Sequence, residues 1–204
     1  GAPGTRALVP GVLIENYMAK IVCLHDYQED IIQRLSEEWR TRCSVMVQMP
    51  TGTGKTFLMA AVVRENAADG VLVVTHRIEL VEQISETLSR FGVRHGVIAG
   101  GQKALLAENV RVASIQTLSR CIDSLSSCPS VVVVDEAHHA LAASYTEMWK
   151  RYPAAKKLGV TATPCRLNRR GFTELFEVLV TSWSIAEFIE KGVLSVFDLS
   201  LIHI

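Results

Sequence analysis

Short, continuous runs of apolar residues alternate along this chain with segments that have the period of an amphipathic helix. A strand that is apolar on both sides is buried on both faces, as in a parallel sheet covered by helices. The alternation therefore predicts βαβ units and an α/β domain, with a mainly parallel sheet and helices on both faces. The predicted strands are 44–48, 71–75, 96–99, 110–113, 131–134 and 158–161. The predicted helices are 26–40, 55–68, 78–91, 118–125, 141–151 and 184–191.

Composition narrows the class of protein further. The 204 residues allow one large domain or two small ones, and 49% hydrophobic with 21% charged residues is an ordinary globular mix. The 21 basic and 21 acidic side chains cancel, which excludes a polycation that binds nucleic acid by bulk charge alone but allows a local basic face. No apolar run approaches the roughly 18 residues of a membrane span, so we expect no membrane partner. The five cysteines form no CxxC pair and are odd in number, which argues against a disulfide framework or a zinc ribbon and favours a reduced, cytoplasmic compartment.

Both ends of the chain differ from the pattern between them. Residues 1–17 have no clear period and Met18 opens the ordered pattern, so we expect a leader or upstream translation before a domain at 18–198. A native flexible tail is the alternative. Residues 199–204 read LSLIHI, which resembles the translation of a sequencing adapter joined to a truncated gene; the alternative is a short apolar strand that ends a domain.

A glycine-rich segment, PTGTGKT at 50–56, follows a predicted strand and opens a predicted helix, which is the context that a phosphate-binding loop requires. Glycine lets backbone N–H groups turn toward an anion, and the helix N-terminus adds partial positive charge. Lys55 would reach the β- and γ-phosphates and Thr56 would ligate Mg²⁺. Met49 stands where the strict pattern has its first glycine, and the alternative is a Gly/Thr-rich turn that contains a lysine. The residues predicted to bind the nucleotide in this loop are Thr51, Gly52, Thr53, Gly54, Lys55 and Thr56.

Two carboxylates follow the predicted strand 131–134. Ligands of such sheets bind at the carboxyl ends of strands, so Asp135 and Glu136 are expected beside the phosphate loop. Asp135 would hold Mg²⁺, and Glu136 would orient or deprotonate an attacking water. Together with Lys55 they are the predicted catalytic residues. The alternative is that both acids only cap the next helix.

Three motifs occur in a fixed order: PTGTGKT at 50–56, DEAH at 135–138 and TATP at 161–164. Together they resemble motifs I, II and III of superfamily 2 DEAD/DEAH-box helicases and translocases. The nearest likeness is to the bacterial type that is similar to the Res-subunit helicases of type III restriction enzymes, and it covers most of the chain. The resemblance implies the ATP-binding, RecA-like lobe of a P-loop NTPase, with ATP and Mg²⁺ as cofactors. It also implies an enzyme that couples ATP hydrolysis to unwinding of, or translocation on, DNA or RNA.

The resemblance extends to LHDYQ at 24–28, which is similar to the segment before motif I whose glutamine reads adenine. A side-chain amide gives and takes hydrogen bonds in the way that an adenine edge requires, so this role is assigned to Gln28. The alternative is an ordinary helix start, with Asp26 as the N-cap and Gln28 on the helix surface.

Further strand-end segments resemble the motifs that contact the phosphate backbone of one nucleic-acid strand. Hydroxyls, backbone N–H groups and one or two cations suffice for contacts that carry no base information. The alternative for the hydroxyls is helix capping, which can coexist with binding. The resemblance assigns these contacts to Thr75, Arg77, Gly100, Ser114 and Thr117.

Coupling of the γ-phosphate state to the grip on nucleic acid is assigned by the resemblance to His138, Thr161 and Thr163. The pair His138–His139 has no evident set of Cys or His partners, so metal binding ranks behind coupling or a structural role. The basic loop 165–170 would face nucleic acid or a partner lobe, and a solvated charge run is the alternative.

The motor of this family needs a second RecA-like lobe with motifs IV to VI and an arginine finger. No arginine follows Arg170, so we expect that C-terminal lobe to be absent from this chain and the lone lobe to be nearly inactive. The alternative function is a non-catalytic, nucleotide-gated module that binds nucleic acid. A metabolic P-loop kinase is a weaker hypothesis, because such an enzyme would have no role for the DEAH and TATP segments.

Overall fold

One sheet of seven strands dominates the computed structural model, which describes residues 23–100, 108–125, 127–137, 143–163 and 175–195. The strand order is β3-β4-β2-β5-β6-β1-β7, and every neighbouring pair is parallel. The predicted α/β class with a parallel sheet is therefore confirmed. The strands are β1 Ser44–Gln48, β2 Val71–Thr75, β3 Gly96–Ile98, β4 Val110–Ser114, β5 Val131–Asp135, β6 Lys156–Thr161 and β7 Val178–Thr181.

Helices follow most of the strands, close to the predicted positions. The largest shift is at α4, which begins at Ile115 rather than 118. Ser114 accepts a hydrogen bond from the Thr117 N–H and so caps this helix early. The α-helices of the described residues are α1 Asp26–Glu38, α2 Lys55–Asn66, α3 Ile78–Arg90, α4 Ile115–Cys121, α5 Ala143–Arg151 and α6 Ile185–Glu190.

The edge strand β7 is not predicted by the sequence patterns. Only Val180 of its four residues is fully buried, so the segment lacks the apolar signal of the inner strands. A carboxylate helps to align it: Glu177, just before β7, accepts hydrogen bonds from the N–H groups of Cys43 and Ser44 at 2.6 and 2.8 Å. These residues lie where β1 begins, and β7 pairs with β1 in parallel.

The sheet separates two apolar layers, because successive side chains of a strand point to opposite faces. Val45 and Val47 of β1 belong to the layer that contains residues of α1, α2, α3 and α6. Met46, between them, belongs to the layer that contains residues of α4 and α5. Helices thus cover both faces, as predicted.

Polar residues from different motifs lie close together at the carboxyl ends of the strands, because all strands of a parallel sheet end on the same side. Thr75 lies opposite Ser114 in the register of β2 and β4, and Gln48 lies opposite Thr161 in that of β1 and β6. Asp135 ends β5, which stands between these two pairs of strands.

None of the described helices is both long and apolar enough to cross a membrane. Some predictions concern residues outside the described ranges and stay predictions. They are those on the terminal segments 1–17 and 199–204, on His138 with His139, and on the basic loop 165–170.

Candidate nucleotide-binding site

The predicted phosphate loop connects the end of β1 to the start of α2. Gly52 and Gly54 have φ angles of +82° and +80°, in the left-handed region that side chains other than glycine rarely adopt. Space imposes the same choice at position 54. A Cβ atom on Gly54 would lie 2.5 Å from Nε2 of Gln28. The loop therefore needs glycine there for its backbone shape and for its packing.

The helix start leaves backbone donors available for an anion. The first N–H groups of any α-helix lack an intrahelical acceptor, and those of Lys55 and Thr56 have no acceptor among the described residues. Thr53 has a different role from its neighbours. Its hydroxyl donates to the Pro50 carbonyl at 2.7 Å and closes the loop.

The predicted catalytic residues lie together at the carboxyl edge of the sheet. Nζ of Lys55 is 3.5 Å from Oε1 of Glu136, and both side chains are largely buried. The backbone N–H of Glu136 donates to Oδ1 of Asp135 at 2.9 Å. Glu136 has a φ angle of +52°, which is unusual for a residue other than glycine and turns the chain sharply as β5 ends.

Asp135 is the buried member of this group, with 6% of its surface exposed. Burial raises the pKa of this carboxyl to about 6, and the negative charge of Glu136 adds to the rise. Lys55 and the Glu136 N–H lower the pKa, but not enough to cancel the burial. A carboxylate in this setting gains from a cation at close range.

A cavity of about 550 Å³ lies against the phosphate loop and the two acids. Its chemistry fits a nucleoside triphosphate with a divalent cation. The ammonium and the backbone N–H groups suit phosphate oxygens, and the hydroxyl and carboxylate oxygens suit a hard cation such as Mg²⁺. The loop and acidic residues that line the cavity are Thr51, Gly52, Gly54, Lys55, Thr56, Asp135 and Glu136.

Gln28 lies directly beside the phosphate loop, with 2% of its surface exposed. Its Nε2 donates to the Gly54 carbonyl at 3.1 Å, and its Oε1 accepts from the His25 N–H at 2.9 Å. His25, not Asp26, is the N-cap of α1. Asp26 is therefore not the N-cap and Gln28 is not on the helix surface, but the hydrogen bond from the His25 N–H makes Gln28 part of a capping box, as at an ordinary helix start.

Sequence reasoning missed the neighbouring residue, Tyr27. Its hydroxyl donates to the Thr53 carbonyl at 2.8 Å, and its ring packs against Trp183 and Phe188. The only signal in the sequence is its position next to Gln28. A second cavity of about 460 Å³ lies on this side of the loop, lined in part by Tyr27, Gln28 and Phe57.

The residues predicted to contact nucleic acid lie along the same edge of the sheet. Thr75 is fully buried, whereas Arg77 is exposed and occupies the N-cap position of α3 without a side-chain capping hydrogen bond. Ser114 caps α4, and its hydroxyl donates to that of Thr117 at 3.0 Å. The capping alternative is thus realised at Ser114 but not at Thr75. Gly100, at the end of the described segment after β3, is exposed, and a Cβ there would lie 4.0 Å from Cδ1 of Ile78.

Thr161 and Thr163 are linked to the phosphate loop by backbone hydrogen bonds rather than by side chains that line the cavity. The Thr161 hydroxyl accepts a hydrogen bond from the Thr163 N–H at 3.1 Å, so the two residues form one short turn. The Thr161 carbonyl accepts from the N–H of Met49 at 2.9 Å, immediately before the phosphate loop. The TATP segment is therefore joined to the loop through the backbone.

A parallel sheet with a phosphate loop after β1 and paired acids after β5 defines a P-loop NTPase domain of the RecA-like type. The chain belongs to the family described as type III restriction enzyme, res subunit (ResIII), which matches residues 21–166.

Curated proteins that resemble this chain support the family assignment, but the chain matches only a limited part of each of them. The DNA 3′-5′ translocase XPB2 of Sulfurisphaera tokodaii is 28% identical over 158 residues, which cover 77% of this chain and 34% of the translocase. A 51.5 kDa protein of a Lactococcus phage is 27% identical over 139 residues, 66% of this chain and 27% of the phage protein. The chain thus spans about a quarter to a third of these relatives.

Solved structures show the same fold. The helicase domain of Pyrococcus furiosus Hef matches with a TM-score of 0.64 at 23% identity, over 78% of this chain and 38% of that one. Saccharomyces cerevisiae Dbp5 bound to RNA and ADP BeF3 matches with a TM-score of 0.68 at 18% identity, over 87% and 50%. Family and fold together make this chain a RecA-like P-loop domain of the ResIII family.

Proposed function

We propose that this chain is the ATP-binding lobe of a nucleic-acid-dependent ATPase, a helicase or translocase, whose second RecA-like lobe lies outside the chain. One observation carries the proposal. Lys55, Asp135 and Glu136 converge at the phosphate loop, although they follow two strands that are separated by β6. In this proposal the second lobe supplies the arginine finger, so we expect this lobe by itself to bind nucleotide and to hydrolyse it slowly.

Each residue of the site has a distinct role in this proposal. Bound Mg·ATP supplies the phosphoanhydride bond whose hydrolysis drives the motor. The Lys55 ammonium offsets the negative charge of the phosphates, and the Thr56 hydroxyl and Asp135 carboxylate hold the cation. The Glu136 carboxylate would accept the proton of the water whose oxygen bonds to the γ-phosphorus, while the bond from that phosphorus to the bridging oxygen breaks and ADP leaves.

We further propose that Gln28 contacts the base from the side of the smaller cavity. Its Nε2 is engaged with the loop, but within the described part of the chain Oε1 accepts one hydrogen bond, from the His25 N–H, and keeps a second lone pair. That lone pair can accept a hydrogen bond from the exocyclic amino group of adenine. Gln28 would then contact the base through Oε1 and the Gly54 carbonyl of the phosphate loop through Nε2.

Nucleic acid is proposed to bind along the strand ends on the β2–β4 side of the sheet. Hydroxyls and exposed backbone suit contacts to phosphates, which carry no base information. The neutral net charge agrees with a small local set of contacts. The name of the relative XPB2 supports DNA as the polymer. The contacts are assigned to Thr75, Arg77, Gly100, Ser114 and Thr117; Arg77 and Gly100 are exposed, whereas the buried Thr75 and Ser114 would have to become accessible on binding.

Coupling is proposed to run through Thr161 and Thr163, with His138. The hydrogen bond from Met49 to the Thr161 carbonyl supports this route, because a shift of the loop moves the TATP segment with it. The four cysteines in the described part are unpaired, which fits the cytoplasmic compartment that we also propose.

Nucleotide binding by the chain tests the proposal first. Fluorescently labelled ATP is titrated with the chain in the presence of Mg²⁺ and again in EDTA. We expect saturable binding that weakens at least tenfold without the cation. Absence of binding by the wild-type chain would refute the proposed function.

Turnover then decides between the motor and the non-catalytic module. A protein that carries both lobes is assayed for ATP hydrolysis with duplex DNA, single-stranded DNA and RNA. Stimulation by one polymer supports the motor and identifies that polymer. Binding of nucleotide and nucleic acid without any turnover would favour the nucleotide-gated module.

A further inference from the structure

We propose that Tyr27 is a positioning residue that orients the anion-binding backbone of the phosphate loop, an inference that rests on the proposed nucleotide-binding function. The contact is specific. The Tyr27 hydroxyl donates to the Thr53 carbonyl at 2.8 Å across 26 residues of sequence, and 4% of Tyr27 is exposed. No other direct link from α1 to this peptide is as short, since Nε2 of Gln28 lies 3.4 Å from the same oxygen.

The peptide between Thr53 and Gly54 explains why this contact matters. In a trans peptide the carbonyl and the N–H point in opposite directions, and no cis peptide bond occurs among the described residues. Holding the Thr53 oxygen on the α1 side therefore directs the Gly54 N–H away from α1. That N–H has no acceptor among the described residues and is one of the donors at the start of α2.

The loop needs such a restraint because the peptide between Thr53 and Gly54 turns about ψ of Thr53 and φ of Gly54. Glycine at position 54 tolerates a wider range of φ than any other residue, so its own backbone restrains this peptide only weakly. The next peptide has its own restraint, because the Gly54 carbonyl accepts from the Leu58 N–H of the helix and from Gln28. The helix does not hold the peptide between Thr53 and Gly54, and Tyr27 makes the shorter of the two side-chain hydrogen bonds to its carbonyl.

Tyr27 is itself held in place by an aromatic cluster. Its ring centroid lies 5.4 Å from that of His25, 5.2 Å from that of Trp183 and 5.0 Å from that of Phe188. Burial raises the pKa of the hydroxyl, so it stays protonated and can donate. A rigid donor on a rigid helix is what a loop with two glycines needs in order to keep one shape.

The chain contains a matched control for this tyrosine. Tyr152 is also 4% exposed, and its hydroxyl lies beside the side chain of its neighbour Arg151 rather than beside a backbone group of the phosphate loop. It packs on the opposite face of the sheet from Tyr27. Tyr27→Phe and Tyr152→Phe therefore remove the same atom from equally buried rings, and only the first removal releases the phosphate loop.

The experiment compares these two variants with the wild-type chain. Melting temperatures are measured without nucleotide, and the Kd values of labelled ATP and labelled GTP with Mg²⁺ are measured where all three proteins are folded. We expect Tyr27→Phe to raise both Kd values by the same factor, about fivefold to tenfold, because one hydrogen bond is lost. The same loss should lower the melting temperature of Tyr27→Phe by about 3 °C. In the control, Tyr152→Phe, both Kd values should stay within about 1.5-fold of the wild-type values.

Each other outcome is decisive. Unchanged Kd values in Tyr27→Phe, with binding by the wild type, would overturn the inference and leave the proposed function standing. If Tyr27→Phe weakens the binding of ATP but not of GTP, the hydroxyl contacts the base, and the inference is overturned. If it lowers the melting temperature by more than 10 °C, the hydroxyl only stabilises the fold, and the inference is overturned as well. No binding by the wild type overturns the proposed function instead.

Discussion

The ammonium of Lys55 lies 3.5 Å from a carboxylate oxygen of Glu136, although 81 residues separate the two along the chain. Lys55 follows β1 and Glu136 follows β5, and in the sheet only β6 stands between these strands. The carboxyl ends of parallel strands share one edge, which is why two separate motifs form one charged site.

Lys55→Ala is expected to weaken nucleotide binding by about tenfold to a hundredfold. A charged hydrogen bond contributes about 1.5–3 kcal/mol, and every 1.4 kcal/mol is a factor of ten. Fluorescence anisotropy of labelled ATP with Mg²⁺ measures the change. Lys150→Ala removes an exposed lysine of α5 and serves as the control. Equal affinity of both variants would contradict the role of Lys55.

Glu136→Gln is expected to separate binding from hydrolysis. The amide keeps the size of the side chain but cannot accept a proton, so the Kd of ATP changes by less than about threefold while turnover falls by about 10²–10⁴. Turnover is measured in the protein with both lobes, with Glu82→Gln on the exposed face of α3 as the control. If Glu136→Gln hydrolyses ATP like the wild type, Glu136 is not the base.

Gly159→Ala is expected to destabilise the fold by about 1–3 kcal/mol, as overpacking of a core does. A Cβ at this position of β6 would lie 2.5 Å from Cζ of Phe176 and 2.7 Å from Cβ of Ala137. Urea unfolding measures the change. In Gly100→Ala the nearest atom of the described residues is 4.0 Å from the added Cβ, so this exposed control should stay within about 0.5 kcal/mol. A neutral Gly159→Ala would mean that the Phe176 ring moves aside freely.

Glu177→Gln is expected to reduce stability in a manner that depends on pH. Hydrogen bonds from the N–H groups of Ser44 and Cys43 lower the pKa of this carboxyl from its usual 4.5. A carboxyl with a lowered pKa stabilises the fold above its unfolded pKa, and this contribution is lost as pH falls through the folded pKa. Because Glu177 is exposed, we expect a loss of only about 1 kcal/mol at pH 7.

Urea unfolding at a series of pH values checks this prediction. The difference between wild type and Glu177→Gln should be constant from pH 7 to 6 and should shrink as pH falls below 4.5. Glu82→Gln, whose carboxyl lies on an exposed helix face, should show no such trend. A difference that is the same at pH 3 and pH 7 would show that the charge of Glu177 is not involved.

Much of the fold follows from local patterns, and the exceptions have physical reasons. The inner strands β1 and β2 have the predicted bounds, because strands buried on both faces must be apolar throughout. The edge strand β7 escapes prediction because half-exposed residues leave no such run. The start of α4 moves because a single side-chain hydrogen bond at Ser114, rather than periodicity, decides where that helix begins.

The site was predictable where a motif carries its own chemistry. A phosphate loop needs glycine, lysine and a helix start within a few residues, so 50–56 could be recognised in isolation. Tyr27 could not, because a tyrosine becomes a loop restraint only when its ring is clamped and its hydroxyl meets a carbonyl 26 residues away. Gln28 was predicted as a contact to the base, and only its burial revealed the contact to the loop.

The sequence by itself determined the alternation of strands and helices, the phosphate loop and the acidic strand end, because each depends on residues close together in the chain. Tertiary structure alone decided which strands are neighbours, and through them the approach of Lys55 to Glu136 and of Tyr27 to Thr53. Hydrophobic periodicity predicts which face of a helix or strand is buried, but not which other helix or strand packs against that face. The order of strands is set by how all the layers pack at once, and that order places the side chains of the site.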